Sequence, residues 1–184
     1  PPYQVDDYDF KRIVAIIRLA VPYTGLILST RENAEFRREL LKLGVSQISA
    51  GSRTSPGAYE NSKANDGEAQ QFTMGDTRSL DEIMQDLISN LGYLPSFCTS
   101  CYRSGRTGEH FMELVKPGFI YKFCEPNAIV TVLEYLLDYG SEETIKLGEE
   151  LILKEIDKIQ DPNIKKAVLK RVEEVRKGKR DTYF

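Results

Sequence analysis

Three cysteines, Cys98, Cys101 and Cys124, are all that the chain contains, and their spacing, C-x2-C-x22-C, is its pattern best suited to chemistry. Cys98-Thr99-Ser100-Cys101 presents two thiolates from one tight loop, and the third follows after 22 intervening residues. Two metal chemistries suit such a set. A structural zinc wants four ligands and would recruit His110, the only histidine, to make a Cys3His site. An iron–sulfur cluster needs no fourth protein ligand, because three thiolates on a cubane of four irons leave one iron open to a substrate or a second metal. A thioredoxin-like redox pair fits poorly, since Cys98-x-x-Cys101 does not follow a strand and open the first helix of a βαβ unit. The run from Thr107 to Met112 reads as a helix start, and nothing in it requires the His110 imidazole to turn back to the loop, which favours the cluster. Arg103 and Arg106 lie beside the cysteines, where guanidinium groups offset the charge of a thiolate-bound cluster or of bound anions; the alternative is that both pair with surface carboxylates.

The rest of the chain must position these residues. Its 184 residues can form one ordinary domain or one and a half small ones, with a core that needs no disulfides. Hydrophobic residues at 41% and charged ones at 29% suit a soluble globular protein, and a net charge of −3 argues against a general nucleic-acid binder. The longest apolar stretch, Ile13 to Val21, is interrupted by Arg18 and is far short of the roughly 20 residues that span a bilayer. An odd number of cysteines with a tight pair among them fits a reducing compartment, and the expected location is the cytoplasm. The opening Pro1-Pro2-Tyr3 carries no secretory signal and suggests a portion of a longer chain.

Two successive units near the start alternate helix and strand. Phe10 to Ala20 is helical by its spacing, and Gly25 to Leu28 is a short apolar run that reads as a buried parallel strand. Glu32 to Leu43 puts Phe36, Leu40 and Leu43 on one helical face and stops at Gly44, before a second strand-like run from Val45 to Ile48. Such alternation implies parallel strands with helical crossovers, and two units fit only the last portion of an eight-fold barrel of about 250 residues. A polar loop rich in Gly, Ser and Asn runs from Ala50 to Asp76 and marks a boundary. Ser79-Leu80-Asp81-Glu82 is a capping box that opens a helix reaching about Leu91. Beyond the cysteines, Asn127 to Tyr139, Glu142 to Ile159 and Pro162 to Lys177 carry apolar residues at three- and four-residue spacing. The expected architecture is therefore α/β over residues 1–60, a linker over 61–78 and a mainly α-helical domain over 79–184. From Asp161 to Phe184 eight Lys or Arg face four Asp or Glu; alternating signs on a helix are usually a solvated face, and this segment is assigned no site.

The run from Phe97 to Met112, Phe-Cys-Thr-Ser-Cys-Tyr-Arg-Ser-Gly-Arg-Thr-Gly-Glu-His-Phe-Met, with Cys124 beyond it, closely resembles the C-terminal cluster motif of the FeFe-hydrogenase maturases that are radical SAM tyrosine lyases. Leu28-Ser29-Thr30-Arg31-Glu32 and Ile48-Ser49-Ala50-Gly51-Ser52-Arg53-Thr54 resemble the last two barrel strands of that family and of its relative, the tyrosine lyase of thiamine synthesis. The resemblance covers essentially the whole chain and is strongest from about Leu94 to Asp138.

The resemblance implies the last β/α units of a TIM-type radical SAM barrel followed by a helical auxiliary-cluster domain. It implies an enzyme dependent on S-adenosylmethionine that cleaves tyrosine at the Cα–Cβ bond to p-cresol and dehydroglycine, then converts dehydroglycine to carbon monoxide and cyanide. The residues matching the family's ligands, Cys98, Cys101 and Cys124, would hold an auxiliary 4Fe-4S cluster with an extra iron, serving hydrogenase maturation proteins. Arg31, just past a strand's C-terminal end, resembles the clamp for the tyrosine carboxylate, and Ser49 would hydrogen-bond the same group. Their readings without the family are a rim salt bridge and a helix-capping serine. One departure is large: the family's second 4Fe-4S cluster sits on a C-x3-C-x2-C loop early in the barrel, and this chain has no cysteine before Cys98. An N-terminal barrel segment is therefore missing from the expected enzyme, and this segment alone is not expected to be active.

Overall fold

A computed structural model describes residues 3–55 and 72–184. Residues 61–71 of the expected linker, and most of the polar loop around them, lie outside the described residues. The chain divides into two compact units, residues 1–80 and 81–184.

The first unit contains α1 (Asp7–Ala20), β1 (Ile27–Leu28), α2 (Ala34–Lys42) and β2 (Gln47–Ile48). Both helices start on a side-chain cap: Asp6 accepts the Asp9 N–H at 2.7 Å, and Asn33 accepts that of Phe36 at 2.9 Å. α2 ends just before Gly44, whose φ of +102° an L side chain adopts poorly. That turn is fastened to α1 by Arg18, which donates to the Gly44 carbonyl from Nε (3.0 Å) and Nη2 (2.6 Å). The two strands pair in parallel, Ile27 with Gln47 and Leu28 with Ile48, so α2 is the crossover that the alternation implied. Val14, Leu28, Phe36, Leu40 and Val45 form the buried core. The described sheet has only these two strands, so the unit is a small α/β layer rather than a barrel.

The second unit is helical: α3 (Leu80–Leu91), α4 (Ser100–Arg103), α5 (Gly108–Val115), α6 (Tyr121–Tyr139), α7 (Glu142–Lys158) and α8 (Pro162–Arg176). α6 is its axis. Ile129, Val130, Val132 and Leu133 are fully buried, which is why the helix is apolar nearly all round, and α7 and α8 pack on it. Gly148 on α7 permits this approach, since a Cβ there would lie 2.5 Å from Leu136 Cδ1. Asp81 at the start of α3 accepts hydrogen bonds from Ser141 Oγ (2.7 Å), Thr144 Oγ1 (2.8 Å) and Tyr135 Oη (3.2 Å), joining three helices at one carboxylate.

α6 begins at Tyr121, six residues earlier than the apolar spacing indicates. Pro126 reads in the sequence as a helix boundary because it lacks an N–H and crowds the preceding turn. The preceding residues accommodate it with tight turns: the N–H groups of Lys122 and Phe123 donate to the carbonyls of Phe119 (3.2 Å) and Ile120 (3.0 Å). Cys124 is thereby part of the first helical turns rather than of a loop. No helix among the described residues is long and apolar enough to cross a membrane.

Candidate metal centre

The three cysteines come together in the second unit from two segments. Cys98 lies in the extended stretch after α3, held by a hydrogen bond from the Phe97 N–H to Thr131 Oγ1 on α6 (3.2 Å). The Ser100 N–H donates to Cys98 Sγ at 3.3 Å, a turn that leaves Cys101 in the single turn of α4. Gly105, at φ +65°, reverses the chain after α4, and the Arg106 N–H returns to the Cys101 carbonyl at 2.8 Å. Cys124 stands near the positive end of α6, where the helix dipole favours a thiolate.

All three thiols are free, Cys98 and Cys101 half-buried and Cys124 exposed. Although Cys124 reaches solvent, surrounding protein atoms strip enough water to push its thiol up. The negative fields of Cys101 and Cys98 push the same way, and the Arg106 guanidinium opposes them. Cys124 thus lies within electrostatic reach of Cys98, Cys101 and Arg106. Gathering three thiolates is unfavourable in the apo chain, and bound iron would reverse that by drawing off the protons and neutralising the charge.

Arg106 and Arg103 part company here. Arg106 Nη2 donates to Ser100 Oγ (2.9 Å) and to the Phe184 carbonyl (2.7 Å), and its guanidinium lies 4.6 Å from the Phe123 ring centroid. Arg103 instead pairs with Asp181 and stacks over Tyr183. His110 is 60% exposed on α5, its Nδ1 3.6 Å from Glu113 of the same helix. The geometry therefore lends no support to a Cys3His zinc site. Among the described residues no three His, Cys, Asp or Glu side chains are grouped as ligands of a single metal ion. Three thiolates, with His110 turned to Glu113, are a donor set of the kind that suits a cubane with one iron left open.

Arg31 and Ser49 belong to the first unit. Arg31 lies over the Phe72 ring at 4.2 Å and lines a cavity of about 370 Å³ with Ser29, Arg53, Phe72 and Met74 among its walls. Ser49 is not among its lining residues: its N–H continues the strand pairing to the Leu28 carbonyl (3.0 Å), and its own carbonyl accepts from Arg37. The hydroxyl residues that share the cavity with Arg31 are Ser29, Thr30, Ser52 and Thr54. Phe72 and Met74 reach the site because Gly75 packs against strand-end backbone, where a Cβ would lie 2.2 Å from the Arg31 carbonyl oxygen. Nothing in the polar loop signalled these contacts, whereas Ser29 and Arg53 stand within the two motifs that carry the family resemblance.

A parallel strand pair opening on a cavity lined by Arg31 and Arg53, with a helical unit gathering three thiols, defines a class first. The chain belongs to the Biotin and Thiamin Synthesis associated domain family, whose profile matches residues 2–94. More particularly, it superposes over its whole length on the crystal structure of HydG, a maturase of the FeFe-hydrogenase, with 50% identity and a TM-score of 0.91, covering 39% of that chain. It is 35% identical over 78 residues to 2-iminoacetate synthase of Escherichia coli (strain K12), covering 42% of this chain and 20% of that protein. To the 2-iminoacetate synthase of Salmonella typhimurium it is 31% identical over 87 residues, covering 47% and 22%. The chain thus spans about a fifth of the synthases and under half of the maturase. The family match ends before Cys98, so the cysteine segment rests on the match to the maturase, and the resemblance drawn from the sequence holds across the chain.

Proposed function

We propose that this chain is the C-terminal part of a radical SAM tyrosine lyase, in which Cys98, Cys101 and Cys124 hold an auxiliary 4Fe-4S cluster for FeFe-hydrogenase maturation. The observation that carries the reading is the convergence of the three thiols beside Arg106, in a chain that matches HydG throughout. In the intact enzyme, residues outside this segment would supply the barrel's beginning, the S-adenosylmethionine site and the second 4Fe-4S cluster. Residues 1–60 would close the barrel and 79–184 form the cluster domain, in a reducing, cytoplasmic setting that keeps the thiols free. The open apolar side chains Ile16 and Leu19 on α1 and Ile27 on β1, 60%, 83% and 74% exposed, suit burial against the rest of a barrel.

This chain's residues would act at two places. At the strand ends, Arg31 would bind and orient the tyrosine carboxylate through two parallel N–H donors, with Phe72 packed behind the guanidinium and Ser29 or Ser49 adding a hydrogen bond. In the helical unit the cysteines would hold the cluster and Arg106 would offset its negative charge. When bound, the cluster supplies an open iron position at which an extra iron, carbon monoxide and cyanide can be assembled.

Anaerobic reconstitution with iron and sulfide, followed by metal analysis and EPR, tests the metal. The expected result is a cluster signal from these three cysteines; stoichiometric zinc without a cluster would establish the alternative, a zinc-binding interaction module with a Cys3His site completed by His110. For the substrate, Arg31→Ala in the intact enzyme is expected to weaken tyrosine binding about 10-fold or more, since charge-assisted hydrogen bonds contribute about 1.5–3 kcal/mol, while leaving the C-terminal cluster in place. Unchanged tyrosine affinity would refute the clamp.

A further inference from the structure

Ser100, 1% exposed between Cys98 and Cys101, is the centre of a hydrogen-bonded knot. Its Oγ accepts from Asn127 Nδ2 at 3.0 Å and from Arg106 Nη2 at 2.9 Å. Asn127, also 1% exposed, lies on α6 three residues beyond Cys124. Its Oδ1 accepts the Phe184 N–H at 2.8 Å, and the Phe184 carbonyl accepts from Arg106 Nη2 at 2.7 Å. Four groups from three separate stretches of the chain therefore join the Cys98–Cys101 turn, the helix carrying Cys124 and the arginine beside them.

The segment 180–184 reaches that knot along one face of α6. Arg180 donates to both carboxylate oxygens of Asp138, at 2.7 and 2.6 Å. The Thr182 N–H donates to Glu134 at 3.1 Å, and Phe184 meets Asn127. Positions 138, 134 and 127 are spaced by four and seven residues, which places them in one stripe of the helix leading toward Cys124. From the other side, Arg103, two residues after Cys101, pairs with Asp181 and stacks on Tyr183. The stretch whose charges look like an ordinary solvated face is thus laid down as a strap on the cysteine segments. Beside the thiols, Arg106 Nε is buried and without a hydrogen-bond partner, a donor that suits an acceptor sulfur.

We propose that segment 180–184, with Asn127 and Ser100, is a positioning device for the metal centre: it sets the Cys98–Cys101 turn against Cys124 and fixes Arg106 beside the sulfurs. The inference rests on the cluster reading above and adds to it the residues that hold the ligands in register. Hydrogen bonds to cluster sulfurs and nearby fixed charge tune reduction potential, so the strap has a consequence beyond mere folding.

The test uses the intact protein, comparing the unaltered chain with Asn127→Ala, Arg180→Glu, and Arg180→Glu combined with Asp138→Arg. The cluster on these cysteines is identified as the EPR signal lost in Cys98→Ala, and its reduction potential and rate of iron loss to a chelator are measured. Asn127→Ala and Arg180→Glu are expected to release that iron about 10- to 100-fold faster, as outer partners of metal ligands do, and to shift the potential. The charge swap is expected to return both readouts to those of the unaltered protein. Arg180 and Asp138 are each about one-third exposed, so their variants decide the matter even if Asn127→Ala fails to fold. Unchanged release and potential in Arg180→Glu, or a swap that restores neither, would overturn the strap while leaving the cluster reading intact. An unaltered protein with no signal sensitive to Cys98→Ala would overturn both.

Discussion

Cys98→Ala in the intact enzyme is expected to leave p-cresol formation at its original rate and to abolish the product that carries iron, carbon monoxide and cyanide. The separation follows from the chain's division. The cysteines belong to the unit spanning 81–184, built around α6, while the Arg31 cavity belongs to the unit spanning 1–80, with a core of its own. Removing one thiol leaves a cubane two protein ligands. If Cys98 is a ligand as proposed, the loss should exceed the roughly 10- to 100-fold that outer-shell substitutions cost, because a direct bond to iron would be gone. The helical fold should persist, since Ser100 remains tied to Asn127 and Arg106 and α6 keeps its fully buried face. Tyrosine cleavage followed by p-cresol, and the final product followed by its infrared bands, read the two activities separately. Survival of both activities would refute the cluster assignment, and loss of both would refute the independence of the two units.

Much of this arrangement is legible in the sequence because local rules and packing agree. The alternation through residue 48 has short connections and a glycine stop, and the strands pair in parallel as the crossover requires. The three thiols carry their own spacing. Cys124 is harder to place, because Pro126 breaks the apolar period where the helix is already under way. The partners of Arg103 and Arg106 cannot be read from neighbouring residues at all. Asp181 and Phe184 reach them across 78 residues in each case, and only the path of the segment over α6 makes those contacts. Charge pattern showed that the segment is exposed in part, yet Thr182 within it is 5% exposed. The sequence marks Ser49 only by its position at a strand end. Its backbone does lie there, while the hydroxyl residues that line the cavity include Ser29, two residues before Arg31, and Ser52.

Arg37→Met is expected to cost about 1.5–3 kcal/mol, the usual contribution of hydrogen bonds to a charged group, because Asp76 keeps Arg78 as a partner, seen as a lowered urea midpoint. Arg37 is 2% exposed and Asp76 is 2% exposed. The guanidinium joins Asp76 and, at 2.5 Å, the Ser49 carbonyl, so α2, the end of β2 and the stretch leading to α3 meet at one side chain. Asp76 is also bound by Arg78 Nε at 2.9 Å and Nη2 at 2.8 Å, and the backbone N–H groups of Gly75 and Asp76 both donate to the Thr30 carbonyl at 3.0 Å. Burial alone would push the Asp76 carboxyl up. The hydrogen bonds from Arg78 and then Arg37, with the Arg37 charge, outweigh it and hold the group at about 2, below its ordinary 3.8. The unfolded chain therefore binds more protons than the folded one as pH falls from about 4 toward 2, and this contribution to stability, complete above about 4, is lost in that window. Arg37→Met should flatten that acid limb as well as lower the midpoint at neutral pH. Replacing both partners, Arg37→Met with Asp76→Leu, should recover part of the stability, because no buried charge is left without a partner and Arg78, which loses Asp76, is 24% exposed and can be hydrated. It should still weaken tyrosine binding, since the stretch that brings Phe72 and Met74 to Arg31 would lose its fixed position against Thr30 and Ser49. A double variant both stable and unaltered in tyrosine affinity would show that the ion pair contributes nothing to the cavity.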